Sequence, residues 1–189
     1  GGVLGSKLLG HRIIGYVEKD DYCQRLLAQR IKDGVIDNAP IYSDIKTFID
    51  SGRCEIYRGV TDIVSAGFPC PPFSTAGKML AGEDYRNMWP ETISVISRIR
   101  PKCILLENVP GLIPTGYIFT IYKQLFEANY KTLPPIKFGC DDFGANHKRK
   151  RVWIIAYSDD GGCHGESLPI LWEKSSEHKF NSCGLCSDI

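Results

Sequence analysis

Thr61-Asp62-Ile63-Val64-Ser65-Ala66 runs directly into Gly67-Phe68-Pro69-Cys70-Pro71-Pro72-Phe73-Ser74. The first six residues read as a buried strand: a short apolar run with β-branched members, bounded by turn formers. Prolines at 69, 71 and 72 fix φ and remove backbone donors, so the strand stops there and a stiff turn follows. One thiol, Cys70, rides on that turn. Open α/β sheets bind ligands outside the carboxyl ends of their strands, and the order of residues puts Cys70 at such an end. A proline-flanked cysteine is equally at home as a buried, inert thiol. The rest of the chain has to decide between the two.

Outward from this stretch, strands and helices alternate. Upstream, residues 2–9 read as the end of a Gly-rich turn running into a helix. Residues 12–17 read as a strand, 21–32 as an amphipathic helix and 41–42 as a short strand. Downstream, 87–98 reads as a helix, with Met88, Ile93, Val95 and Ile96 at helical spacing and Ile99 just after it, Pro101 precedes a strand at 103–106, and 117–128 reads as a helix. Residues 130–138 are extended, broken by Pro134-Pro135, and 152–157 form a strand. This alternation predicts an α/β fold with a doubly wound, mostly parallel sheet and helices on both faces. The closing segments lack an intervening helix, which predicts antiparallel pairing at one edge.

Composition is that of a globular chain: 189 residues, 43% hydrophobic and 24% charged. No apolar run approaches the roughly 20 residues of a membrane span. Eight scattered cysteines, several within apolar runs, do not resemble a secreted disulfide framework and read as reduced cytosolic thiols. A net charge of +1 does not advertise a nucleic-acid binder in bulk. The charge is concentrated, however, in His147-Lys148-Arg149-Lys150-Arg151, which leads straight into Val152-Trp153-Ile154-Ile155-Ala156-Tyr157. After residue 158 the chain turns polar and rich in Gly, Ser and Cys. We therefore divide it into a domain at 1–158 and a linker, or the start of a further region, at 159–189. Cys183-x2-Cys186 with Cys163-His164 is a weak match to a zinc pattern, and no metal site is assigned.

Two further signals accompany Cys70. In Leu105-Leu106-Glu107-Asn108-Val109-Pro110-Gly111 a carboxylate follows an apolar strand at its C-terminal end, partly out of water and suited to deliver a proton. Arg149 and Arg151, two apart at a strand entrance, should point to one face.

A turn-borne Cys, a strand-end Glu-Asn and an Arg-x-Arg entering a strand, in this order and spacing, resemble the C5-cytosine DNA methyltransferases over residues 1–158. The resemblance implies a Rossmann-like S-adenosylmethionine-dependent methyltransferase fold, here incomplete at both ends. The first strand and most of its glycine loop would be missing before Gly1-Gly2, and the target-recognition domain after residue 158. It makes Cys70 the nucleophile toward carbon 6 of a cytosine flipped out of duplex DNA. Glu107 would bond ring N3 and the exocyclic amine, and Asn108 would brace the Cys70 turn. Arg151 would contact the base O2 and Arg149 the catalytic loop or a phosphate. The Phe68 carbonyl would accept from the amine. Ser74 and Lys78 would touch phosphates from a mobile loop hinged at Gly77 and Gly82. The methyl donor would lie against Gly2, Glu18, Asp44, Ile45, Phe68, Pro69 and Met88, with Glu18 on the ribose hydroxyls and Asp44 on the adenine amine. Pro71 and His147 depart from the family pattern, where Gln is common at both positions. The implied partner is double-stranded DNA, bound by a monomer in the cytoplasm of a bacterial or phage-infected cell. A tRNA cytosine-5 methyltransferase of the same fold and an inactive fragment are the alternatives.

Overall fold

A computed structural model describes residues 2–69 and 86–158. The described chain runs α1 (Gly2–Leu8), β1 (Tyr16–Val17), α2 (Asp21–Lys32), β2 (Ile41–Tyr42), α3 (Ile45–Asp50), a 3-10 turn (Arg53–Tyr57) and β3 (Ile63–Ala66). It continues with α4 (Trp89–Ile99), β4 (Cys103–Asn108), α5 (Tyr117–Glu127), β5 (Tyr130–Thr132), β6 (Ile136–Phe138) and β7 (Arg151–Ser158). Local chemistry explains the helix starts. The Asp20 carboxylate accepts from the Cys23 N–H at 2.8 Å and caps α2. Asp44 does the same for α3 through the Thr47 N–H at 2.9 Å.

Two sheets result. β1 and β2 pair in parallel, Tyr16 opposite Ile41. β3, β4, β7 and β5 lie side by side, and β6 also pairs with β7. β3 runs parallel to β4, with Ala66 opposite Leu106, whereas β7 runs antiparallel to β4, β5 and β6. The antiparallel part is therefore larger than an edge: β7 sits inside the sheet, with β4 on one side and β5 and β6 on the other.

β4 and β7 alternate strictly in burial. Ile104 and Leu106 of β4 and Val152, Ile154 and Ala156 of β7 pack against Trp89 and Ile96 of α4 and Ile118, Ile121 and Leu125 of α5. Each of the Ile, Leu and Val side chains among these contributes about 1.5–3 kcal/mol by leaving water. Val95 and Ile99, on a different stripe of α4, meet Phe48, Ile49, Cys54 and Tyr57 in a second cluster. Burial pushes the Cys54 thiol up to about 11, so it stays protonated, and its S–H donates to the Glu55 carboxylate at 3.1 Å.

Three elements differ from the sequence reading. The strand expected at 12–17 is only Tyr16–Val17. A ladder needs a partner, and β2 supplies two residues; the Ile13 N–H turns instead to the Asp37 carboxylate at 3.0 Å. Gly15 lies in this stretch because a Cβ there would stand 2.8 Å from the Tyr57 hydroxyl oxygen. Helix α3 was not anticipated, since six residues are too few for a clear period. β4 extends through Asn108, two residues beyond the expected end. Among the described residues no helix is long and apolar enough to cross a membrane.

Candidate active site

The C-terminal end of β4 supplies two side chains with opposite orientations. Asn108 follows Ile104 and Leu106 onto the helix-packed face and is 7% exposed. Its Nδ2 donates to the Phe68 carbonyl at 3.1 Å, and its Oδ1 accepts from the Val109 N–H at 2.8 Å. Phe68 is itself buried and packs its ring on Trp89 at 5.2 Å. One lone pair of the Phe68 carbonyl is therefore engaged by Asn108.

Glu107 lies on the other face of the sheet, half-buried. Its Oε1 meets Arg151 Nε at 3.2 Å, with side-chain exposures of 31% and 26%, so the pair is sheltered yet reachable. Trp153 is the direct cross-strand partner of Glu107. The Trp153 indole stacks on Phe138 at 5.9 Å, and Phe138 meets Phe143 edge-on at 5.4 Å. This aromatic line ties the turn at Cys140–Phe143 to the sheet beside Glu107. Trp153 Nε1 is buried and has no hydrogen-bond partner among the described residues.

Arg149 stands apart from Arg151. Strand β7 begins at Arg151, so the two-residue alternation does not extend back to Arg149, which sits on the exposed loop before it. That loop is closed at its base. The Cys140 N–H donates to the Lys148 carbonyl at 3.1 Å, the Ala145 N–H to the Cys140 carbonyl at 3.1 Å, and the Gly139 N–H to Asp142 Oδ2 at 2.7 Å. A Cβ on Gly139 would collide with the Lys148 carbonyl and the Asp141 carboxylate, so glycine is required by close approach.

A cleft of about 1300 Å³ opens between the two sheets, lined among others by Gly2, Glu18, Ser65, Gly67, Glu107 and Trp153. Glu18 follows β1, and its Oε1 accepts from the Asp20 N–H at 2.9 Å. Asp44 follows the neighbouring β2, so both acids leave the same end of a parallel pair. The Asp44 carboxylate is engaged as the α3 cap, and the Thr47 N–H bond holds its carboxyl below the usual carboxylate range. Ile45 packs on the second cluster and Met88 on the main core. Pro69 contributes its carbonyl, which accepts from the Met88 N–H at 3.4 Å. Of the seven expected cofactor contacts, Gly2 and Glu18 line this cleft, whereas Asp44, Ile45, Phe68, Pro69 and Met88 do not. Cys70, Ser74, Lys78, Gly77 and Gly82 lie outside the described residues, as do Cys163, His164, Cys183, Cys186 and the whole of 159–189. Trp153 and Gly67 escaped the sequence reading. Trp153 could have been found as the residue two beyond Arg151, on the same strand face.

A mixed sheet with a carboxylate at a central strand end and acids at the ends of a flanking parallel pair is the Rossmann-like methyltransferase architecture. Two solved structures share it. One is described as a DNA modification methyltransferase encoded within a prophage (E. coli), with a TM-score of 0.66 at 24% identity, covering 84% of this chain and 44% of that one. The other is Spodoptera frugiperda DNMT2, with a TM-score of 0.62 at 17% identity, covering 85% and 46%. Residues 1–182 match the C-5 cytosine-specific DNA methylase profile, and the chain belongs to that family. It is 32% identical over 164 residues to the Type II methyltransferase M.NgoMIV of Neisseria gonorrhoeae, covering 85% of this chain and 49% of that protein. Against M.PspPI of Psychrobacter sp. (strain TA137) identity is 33% over 162 residues, covering 83% and 37%. The chain thus spans half or less of the length of these relatives.

Proposed function

We propose that residues 1–158 are the catalytic part of an enzyme that methylates carbon 5 of cytosine in duplex DNA, with S-adenosylmethionine as methyl donor. The observation that carries this reading is the Glu107–Arg151 pair at 3.2 Å. It stands at the end of the strand whose next residue, Asn108, holds the Phe68 carbonyl two residues before Cys70. Carbon 5 of cytosine is a poor nucleophile. In the proposed reaction the Cys70 thiolate adds to carbon 6, and the ring electrons move so that carbon 5 becomes enamine-like. Glu107 hydrogen-bonds N3 and supplies its proton as the sulfur–carbon bond forms. Arg151 orients Glu107 and offers its remaining N–H groups to the base O2. After methylation N3 returns its proton to Glu107, a water molecule takes the carbon 5 proton, the electrons of that C–H bond form the carbon 5–carbon 6 double bond, and the carbon 6–sulfur bond breaks to release the thiolate. A base inside a duplex is out of reach of these groups, so the target nucleotide is flipped. Arg149 and its basic neighbours on the exposed loop suit contact with phosphates.

We place the donor group in the cleft between the sheets, which two of its expected contacts, Gly2 and Glu18, line. The volume exceeds what a nucleoside-sized ligand needs. Glu18 stands at a strand end suited to ribose hydroxyls, and the buried Trp153 indole N–H, without a hydrogen-bond partner among the described residues, can donate to an acceptor there. When bound, S-adenosylmethionine supplies an electrophilic methyl group. The chain's own residues bind it, orient the base and move the proton. The cytoplasm and a monomeric state accord with this role.

The test is covalent capture. A pool of random-sequence duplexes carrying 5-fluorocytosine in place of cytosine is incubated with the chain and S-adenosylmethionine. The fluorine cannot leave as the proton does, so the adduct persists. Capture that disappears in Cys70→Ala is the expected result. Capture surviving that substitution refutes the nucleophile, and capture on tRNA but not on duplex DNA refutes the substrate class.

A further inference from the structure

We propose that Phe143 is a nucleobase-stacking residue of the DNA interface, presented by a stiff basic turn beside the candidate active site. This inference rests on the methyltransferase reading above. Phe143 ends the 3-10 turn Cys140–Phe143 and is 74% exposed. A lone exposed apolar side chain is ordinary on a protein surface, but this one is held in place. Its ring meets Phe138 edge-on at 5.4 Å, and Phe138 stacks on Trp153 at 5.9 Å. Trp153 is the cross-strand neighbour of Glu107, so the exposed ring ends a line of aromatics that begins beside that carboxylate. The backbone under the ring is closed as well. The Gly144 N–H donates to the Asp141 carbonyl at 3.3 Å and the Ala145 N–H to the Cys140 carbonyl at 3.1 Å. Gly144 turns the chain at φ +84°, in the left-handed region that glycine enters at no steric cost. A side chain fixed in this way loses little freedom on binding, so more of its contact energy reaches the affinity.

The charge beside the ring says which partner it suits. Lys148, Arg149 and Lys150 follow on the same loop, all exposed, and the Cys140 N–H bond to the Lys148 carbonyl at 3.1 Å anchors them to the Phe143 turn. The two acids of the turn face its own base instead. Asp142 Oδ2 accepts the Gly139 N–H at 2.7 Å, and the Asp141 carboxylate lies against Gly139. An aromatic face next to a cluster of cations complements a nucleic acid. The cations take phosphates, and the ring takes the π-face that every base carries. In an intact duplex stacking covers those faces. A nucleotide that leaves the stack uncovers the face of its neighbour. Phe143 stands beside the site that receives such a nucleotide, and its ring covers the face left open.

Two duplexes of one mixed sequence, one intact and one with a single abasic site, separate stacking from phosphate contact. The abasic site uncovers a base face as flipping does, while the phosphates stay the same. We expect the full chain to bind the abasic duplex about tenfold more tightly, the scale of one base–aromatic contact. Phe143→Ala should bind the two duplexes equally. Phe143→Leu should do so too, since it keeps apolar bulk but has no ring face, and Phe143→Tyr should keep the preference. The slope of log K against log salt should be the same in Phe143→Ala as in wild type, because no phosphate contact is lost. Equal binding of the two duplexes by wild type, or a preference that survives Phe143→Ala or Phe143→Leu, would overturn the proposal. Failure of the methyltransferase reading shows elsewhere, as the absence of Cys70-dependent capture on 5-fluorocytosine. A chain that captures DNA but has no preference for the abasic duplex refutes the role of Phe143 alone.

Discussion

Asn108→Asp exchanges one amino group for one oxygen at a position only 7% exposed. The acceptor to the Val109 N–H is retained, but the donor to the Phe68 carbonyl becomes a second oxygen facing it at about the same 3.1 Å. Losing the hydrogen bond costs about 1 kcal/mol, and a buried carboxylate oxygen without its donor adds about 1–3 kcal/mol. The sum is about 2–4 kcal/mol at neutral pH, or about 4–16 °C in Tm for a domain of this size. The sign with pH follows from the environment. A carboxyl in this place, facing a carbonyl and shielded from water, has a folded pKa above its unfolded value of about 3.9. The penalty is therefore full above the folded pKa, shrinks as pH falls through it, and is gone below the unfolded pKa. Once protonated, the O–H can donate to Phe68. Paired melts of wild type and variant, followed by circular dichroism at pH 7 and pH 5, measure this difference. A variant as stable as wild type at pH 7, or a deficit that does not narrow at pH 5, refutes the role given to the Phe68 contact. Asn108→Ala, which loses both bonds without adding charge, should show a deficit of about 2–3 kcal/mol with no such pH trend.

Gly139→Ala forces a Cβ against the Lys148 carbonyl and the Asp141 carboxylate, costing about 1–3 kcal/mol. Trypsin should then cut within 148–151 faster than in wild type, and an unchanged cleavage rate would contradict the crowding. Asp44→Ala removes the α3 cap and should cost about 0.5–2 kcal/mol. The Asp44 carboxyl is held low by the Thr47 N–H, so its contribution is present above the unfolded pKa and lost as pH falls through the folded one. Acid titration of stability should accordingly show wild type and variant converging at low pH. Leu125→Ala empties a fully buried site between α5 and the sheet and should cost about 2–5 kcal/mol in urea unfolding.

Elements with a strong local period were legible without coordinates. Residues 21–32 carry an amphipathic helical pattern, and the structure has a helix over the same span. The apolar runs at 103–106 and 152–157 announced strands, and the structure has strands that contain them, Cys103–Asn108 and Arg151–Ser158. The strand at 12–17 shrank because extended backbone becomes a ladder only where a partner lies beside it. α3 was hidden because Asp44, its cap, also resembled a ligand contact, and one carboxylate can be read either way until its neighbours are placed.

The amino-acid order by itself determined the family and the candidates: a thiol after a strand, Glu107-Asn108 at the end of another, and an arginine opening a third. These signals are local, since strand ends and turn residues announce themselves within a few positions. Only the tertiary structure decided which side chains meet. Adjacent residues Glu107 and Asn108 take opposite faces because a strand alternates. Arg151 reaches Glu107, and Arg149 stands on the loop, because β7 begins between them. Asn87 finds Tyr117 thirty positions away because α4 and α5 pack on one sheet face. Contacts across that distance depend on register and packing, which no local pattern encodes.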